Sequence, residues 1–321
     1  MTYAAASLSR RSYLKLGAAA AAGAAIAPLV PAFGQSATLP RITKPIPSSG
    51  ERIPCIGIGT NAYNVTAPED MARLQQVLAG LAEQGGAVID TARVYGRSEE
   101  VIGELLQKIG GRDRYFISTK SSIGGPIADP AREVQTAFDR LKVDTIDLLL
   151  IHNLHALDQL MPEFIRAKEQ GRVRYIGMST SVDGQYEAQM AGMRRYPLDF
   201  IQVDYSISNR GAAEAVIPLA QERKMAVMIN VPFGGRGQGS ASTFARVANR
   251  PLPDWAKDID ATSWAQVCLK YIVSHPGVTV AIPGTTQMDH LLDNQAAGRG
   301  RLPDAALRRE IETYWDALPA A

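Results

Sequence analysis

Asp90, Lys120 and His152 each close a short apolar run: AVIDTA (87–92), YFISTK (115–120) and IDLLLIH (146–152). Tyr95 follows the first of these by five residues. Singly, each has an ordinary explanation: a lone lysine at a strand end snorkels to solvent, and a lone histidine is a hydrogen-bonded side chain. Together they are the parts of a proton-transfer device. A phenol is a general acid, and an ammonium beside it favours the phenolate. A carboxylate would keep that lysine charged and aimed where it is buried. The set works only if the ends of three separate runs converge.

The pattern of runs predicts that convergence. Short Val-, Ile- and Leu-rich stretches recur at CIGIGT (55–60), AVIDTA, YFISTK, IDLLLIH, VRYIGMST (173–180), DFIQVDY (199–205), AVMINVPF (226–233) and VTVAIPGT (278–285). They are near-continuous rather than alternating, as strands buried on both faces are. Helical periodicity fills the gaps, as in Met71, Leu74, Val77, Leu78 and Leu81, or Val134, Phe138 and Leu141. Pro68-Glu69-Asp70 and Asp129-Pro130 read as helix starts; Gly85-Gly86 and Gly171 read as stops. Eight strand–helix units without a second-domain linker predict an α/β fold, a (β/α)8 TIM barrel, in preference to a doubly wound sheet. RITKPIPSSGERIPCIG predicts an N-terminal hairpin that plugs the barrel, turning at Ser48-Ser49-Gly50. PDAALRREIETYWDAL predicts an extra C-terminal helix. The long stretch after the seventh strand would overhang the C-terminal face, where barrel sites lie.

The chain has 321 residues, 21% charged and 46% hydrophobic, with net charge +2. No basic stripe points to nucleic acid. No His/Cys cluster has zinc spacing, and GGRGQG lacks the lysine and the strand-to-helix setting of a phosphate loop. Cys55 and Cys268 read as two buried thiols. The N-terminus, SRRSYLKLGAAAAAGAAIAPLVPAFGQSA, resembles a twin-arginine export signal, with Arg10-Arg11 ahead of a weakly apolar stretch. That stretch is short for a membrane span, so no stable membrane insertion is expected. The reading divides the chain into a signal, 1–37, and a barrel, 38–321, delivered folded to the periplasm by the export machinery. Removing 1–37 takes Arg10, Arg11 and Lys15 and no acid, so the +2 becomes −1.

From Arg41 onward the chain resembles an aldo-keto reductase. IDTARVYGRSEEVIGELL is similar to that family's first signature, and ISTK, LLLIHN, IGMST, IQVDYS and IPGTT follow in its order. The resemblance implies a nicotinamide-dependent oxidoreductase acting on a small-molecule carbonyl or alcohol. Tyr95 would be the general acid, assisted by Lys120, Asp90 and His152. It implies NADP(H) as the favoured cofactor and NAD(H) as the alternative. Ser179 and Gln202 would hold the nicotinamide carboxamide, with Thr180 where the family often has asparagine. Pro232, Phe233, Gly234 and Gly237 would wrap the pyrophosphate. Tyr205 is the candidate aromatic against the nicotinamide, and Gly59 and Thr60 would line the same cavity. Thr285, Thr286, His290 and Asn294 would hold the adenosine end, with Gly284 and His290 where basic residues are expected. Asn61, Tyr63, Asn153, Leu154 and His155 would shape the substrate pocket. A reductase-like barrel serving as a cofactor-carrying binding or regulatory subunit is the rival reading, and the intact Asp-Tyr-Lys-His set opposes it.

The export reading is checked by replacing Arg10 and Arg11 with lysine. The variant is expected to accumulate folded and full-length in the cytoplasm, measured by fractionation and immunoblot. Normal periplasmic levels would show that the signal is of another kind.

Overall fold

A computed structural model describes residues 39–234 and 243–319. The chain enters through a hairpin of β1 (Thr43–Pro45) and β2 (Arg52–Pro54), antiparallel with Lys44 opposite Ile53. Its turn closes where Gly50, at φ +79°, donates its N–H to Ile46 O at 2.8 Å. Gly suits this left-handed position because it has no Cβ to clash.

Eight parallel strands follow: β3 (Ile58–Gly59), β4 (Val88–Asp90), β5 (Phe116–Lys120), β6 (Ile146–Ile151), β7 (Val173–Ser179), β8 (Phe200–Asp204), β9 (Ala226–Asn230) and β10 (Val280–Ala281). Each pairs with the next in sequence. Parallel bridges Ile56–Ala281 and Gly59–Gly284 close the ring. There Gly57 N donates to Ala281 O at 2.9 Å and Gly59 N to Pro283 O at 3.0 Å. The barrel expected from the eight apolar runs is therefore the fold.

Parity along each strand divides the apolar residues into two layers. Val88, Phe116, Leu148, Leu150, Phe200, Met228 and Val280 point inward and fill the barrel. Ile89, Ile117, Leu149, Ile151, Ile201 and Ile229 point outward, against the helices. Ile46 and Ile53 of the hairpin join the inner cluster, so the hairpin is the plug the sequence predicts.

The helices are α1 (Pro68–Glu83), α2 (Ser98–Ile109), α3 (Pro130–Leu141), α4 (Leu157–Glu169), α5 (Tyr186–Arg195), α6 (Val216–Glu222), α7 (Thr243–Val247), α8 (Trp264–Ser274), α9 (Met288–Ala296) and α10 (Ala305–Asp316). Their starts follow local chemistry. Pro68 is at the first turn of α1, and Asp129 caps α3 by accepting from Arg132 N at 3.0 Å. The C-terminal α10 is capped by Asp304 and buries Ile311 and Trp315. α9 starts at Met288, with Gln287 as its N-cap; Thr285 Oγ1 accepts from Gln287 N at 3.0 Å and holds Thr285, Thr286 and Gln287 in a turn just ahead of the helix. Cys55 and Cys268 are buried free thiols; burial pushes them up to about 11 and about 12. Among the described residues no helix is long and apolar enough to cross a membrane.

The plug has a measurable weight. Ile46 is 0% exposed, with its side chain inside the barrel. Ile46→Ala is expected to destabilise the fold by about 2–5 kcal/mol through lost burial and a residual cavity, read as a lower urea midpoint at unchanged m-value.

Candidate active site

The three predicted strand-end residues lie on consecutive strands. Asp90 ends β4, Lys120 ends β5 and His152 follows β6. Lys120 Nζ donates to Asp90 Oδ2 at 2.6 Å and to Thr91 O at 2.8 Å. Asp90 Oδ1 accepts from Ser118 Oγ at 2.9 Å and from Gln202 Nε2 at 3.0 Å. Both residues are 2% exposed. Burying two charges is costly unless they pair and their other hydrogen-bonding capacity is met; here both conditions hold. The Tyr95 ring centroid lies 5.5 Å from Lys120 Nζ. Tyr95 meets the His152 ring edge-on, centroids 6.3 Å apart. Asp90, Tyr95 and His152 all face one cavity of ≈ 330 Å³.

Tyr95 sits on a loop, so its position depends on what pins that loop. Gly96 follows at φ +62°, where a Cβ would fall 2.5 Å from Asn64 Cγ. Arg140 of α3 donates to Gly96 O. Glu99, in the first turn of α2, is fully buried and accepts from Arg93 Nε at 2.8 Å, Arg140 Nε at 2.8 Å and Thr119 Oγ1 at 2.7 Å. One buried carboxylate thus ties the Tyr95 loop to α3 and to β5. Glu99 is not among the residues that the sequence reading singles out. Its signal was its place on the face that also carries Ile102 and Leu106, buried in the core.

Gly59, Thr60, Ser179, Gln202, Pro232, Phe233 and Gly234 line the cavity, as do Asn61 and Asn153. Other expected wall residues lie elsewhere. Tyr205 points outward: it shares the parity of Ile201 and Val203, stacks on Tyr271 with centroids 6.0 Å apart, and accepts from Arg308 at 2.9 Å. It is a helix-layer residue, which corrects its expected place against the cofactor. Thr180 Oγ1 bonds Gln185 Oε1 at 2.5 Å and accepts from Val182 N at 3.2 Å, so its side chain serves its own loop. Tyr63 is fully buried in the outer core. His155 Nε2 meets Gly125 O at 2.9 Å on the exposed side, and Leu154 packs against the outer core rather than lining the cavity. Thr285, Thr286, His290 and Asn294 lie on α9 and the turn before it, outside the cavity wall. Of these His290 is exposed and Asn294 buried. Gly237 lies outside the described residues.

The cavity's other wall was only partly foreseen. Asn230, the last residue of β9, lines it and donates through Nδ2 to Thr180 O at 3.0 Å and to Gln202 Oε1 at 3.3 Å. Gly59 and Gly284 face each other across the closing seam; a Cβ on Gly284 would come 3.2 Å from Asn61 Oδ1. At the end of β8, Asp204 accepts from Tyr186 OH at 2.9 Å and from Asn209 Nδ2 at 2.6 Å. Asn209 also donates to the exposed Asp183 at 3.0 Å. Burial, with Asp183 beside it, raises the Asp204 carboxyl to about 6.

Comparison with known proteins gives consistent results. Residues 55–311 match the family model described as "Aldo/keto reductase family". The chain is 30% identical over 281 residues to methylglyoxal reductase YeaE of Escherichia coli (strain K12), covering 84% of this chain and 95% of that one. Among solved structures it is similar to an aldo-keto reductase from Bacillus halodurans in its holo form, with TM-score 0.68 and 21% identity over 88% of this chain and 98% of the other. It is also similar to an aldo/keto reductase from Klebsiella pneumoniae in complex with NADP and acetate, with TM-score 0.66 and 23% identity over 86% and 96%.

The Asp204 environment predicts a pH effect. A carboxyl whose folded value is raised stabilises the fold fully below its unfolded value, near ~4, and loses that contribution as pH rises through about 6. Asp204→Asn is therefore expected to be more stable than the parent above pH 6, by about 1–3 kcal/mol once the shift is discounted for solvent screening. The difference should vanish near pH ~4. Urea melts at both pH values read it directly.

Proposed function

Since the chain belongs to the aldo/keto reductase family, we propose that it reduces an aldehyde or ketone to an alcohol with NADPH, Tyr95 delivering the proton. The observation that carries this reading is the buried Lys120–Asp90 pair set 5.5 Å from the Tyr95 ring at a cavity that His152 also faces. Bound NADPH would supply a hydride to the carbonyl carbon. The protein's own groups manage the oxygen. Lys120, held charged by Asp90, stabilises negative charge on the phenol as its proton leaves. His152 opposite Tyr95 orients the carbonyl oxygen between them.

The residues present suit a dinucleotide. The facing glycines Gly59 and Gly284 leave room that side chains would fill. Gly234 is in the left-handed region at φ +66° on the same wall. The first-turn N–H groups of α9, beside Thr285 and Thr286, suit a phosphate. The NADP complex of the Klebsiella pneumoniae relative supports the choice of NADPH over NADH. Methylglyoxal, the substrate in the Escherichia coli relative's name, is the natural first compound for assay. Export belongs to the same reading: Arg10-Arg11 lies outside the described residues, and a signal that carries folded proteins would let the enzyme leave the cytoplasm with its cofactor bound.

Tyr95→Phe keeps the ring and removes the acid. Turnover followed by NADPH absorbance is expected to fall by at least ~10², while the NADPH dissociation constant stays close to that of the parent. A near-parental rate would assign the proton to another group.

A further inference from the structure

The two oxygens of the buried Glu99 face different halves of the proton machinery. Oε2 accepts from Arg93 Nε and from Arg140 Nε, each at 2.8 Å. Arg93 precedes Tyr95 by two residues, and Arg140 also donates to the carbonyl of Gly96, the residue after Tyr95. Oε1 accepts from Thr119 Oγ1 at 2.7 Å, and Thr119 is the strand residue before Lys120. One carboxylate therefore holds the chain on both sides of the tyrosine and the chain next to the lysine. Ser98, beside Glu99, repeats the connection: its Oγ lies 2.9 Å from Thr91 Oγ1, and the Thr91 carbonyl accepts from Lys120. A buried ion cluster is a poor source of stability, since apolar packing serves as well. What it supplies here is directional bonds of fixed length between the acid and the cation.

We propose that Glu99 is a positioning residue for proton transfer: it sets the separation of Tyr95 from Lys120, and through it the pH range over which the phenol gives up its proton. This deepens the reading of Tyr95 as the acid and rests on it. Lys120 and His152 face the Tyr95 ring, and Asp90 stands behind the lysine. The attraction between an ammonium and a phenolate falls with distance, so a looser Tyr95 loop weakens what Lys120 does to the phenol. Glu99→Gln keeps the shape of the side chain. It also leaves each arginine a carboxylate, Glu133 for Arg93 at 3.5 Å and Glu100 for Arg140 at 3.1 Å.

The test is the pH profile of methylglyoxal reduction by the folded enzyme with NADPH. Reduction needs the phenol protonated, so kcat/KM of the parent falls at high pH. In Glu99→Gln that fall is expected to move upward by at least about half a pH unit. Its kcat near neutrality is expected to drop about tenfold, while the NADPH dissociation constant stays close to that of the parent. Arg140→Met acts on a partly exposed side chain and leaves Glu99 its bonds to Arg93 and Thr119. It is expected to show a smaller displacement in the same direction, and it decides the matter alone where Glu99→Gln does not fold. A slower folded variant whose profile keeps its parental place would make Glu99 a brace of the fold only and overturn the proposal. The Tyr95→Phe variant separates the two readings. If it retains a near-parental rate, the proton reading falls and this proposal with it; if it is inactive and the Glu99→Gln profile is undisplaced, this proposal falls alone.

Discussion

Two opposite charges 2.6 Å apart, sealed from water inside the mouth of a barrel, set the terms for everything around them. Neither Asp90 nor Lys120 could be buried alone, because an uncompensated charge in that place costs several kcal/mol. Each remaining hydrogen-bonding position must also be filled, and the neighbouring strand ends fill them. Ser118 comes from β5, the Thr91 carbonyl from the loop after β4, and Gln202 from across the barrel on β8. Gln202 in turn is held by Asn230 on β9. The pair therefore fixes the chemistry of strand ends far apart in sequence.

The proton machinery and the opposite wall come from different arcs of the ring. β4 to β6 present Asp90, Tyr95, Lys120 and His152, while β7 to β9 present Ser179, Gln202 and Asn230. The first arc is braced from outside by Arg140 and the buried Glu99, which keep the one loop-borne member, Tyr95, in place. The second arc is braced from inside by side-chain amides. Rigid elements carry most of the site, and the exception carries the most external support.

The barrel and the convergence of Asp90, Lys120 and His152 were legible because buried parallel strands write themselves as unbroken apolar runs, against which a terminal charge stands out. The hairpin plug was legible from its turn residues. What failed was parity past the end of a strand. Tyr205 was placed inward, although one residue's shift decides which layer a side chain enters; with Ile201 and Val203 it goes outward. Thr180 was read as a wall residue, but its short hydroxyl finds partners within its own loop, as threonine often does. The partners of Glu99 and the lone Oδ1 of Asn230 were beyond reach for a different reason. Their meaning lies in which partners they have or lack, and partners distant in the chain leave no local pattern.

The ring's closing joint has a further consequence. β3 and β10 are each only two residues long, and they meet through isolated bridges rather than a continuous ladder. The glycines of that joint, Gly59 and Gly284, cannot reinforce it with side-chain packing. Local opening follows the path with the fewest bonds to break, so amide hydrogens at this joint should exchange with solvent sooner than those of the six-residue β6. The softest hinge of the barrel thus coincides with the wall of its cavity. Opening there would widen the mouth, while the buried charges on β4 and β5 would keep the ladder that joins those two strands.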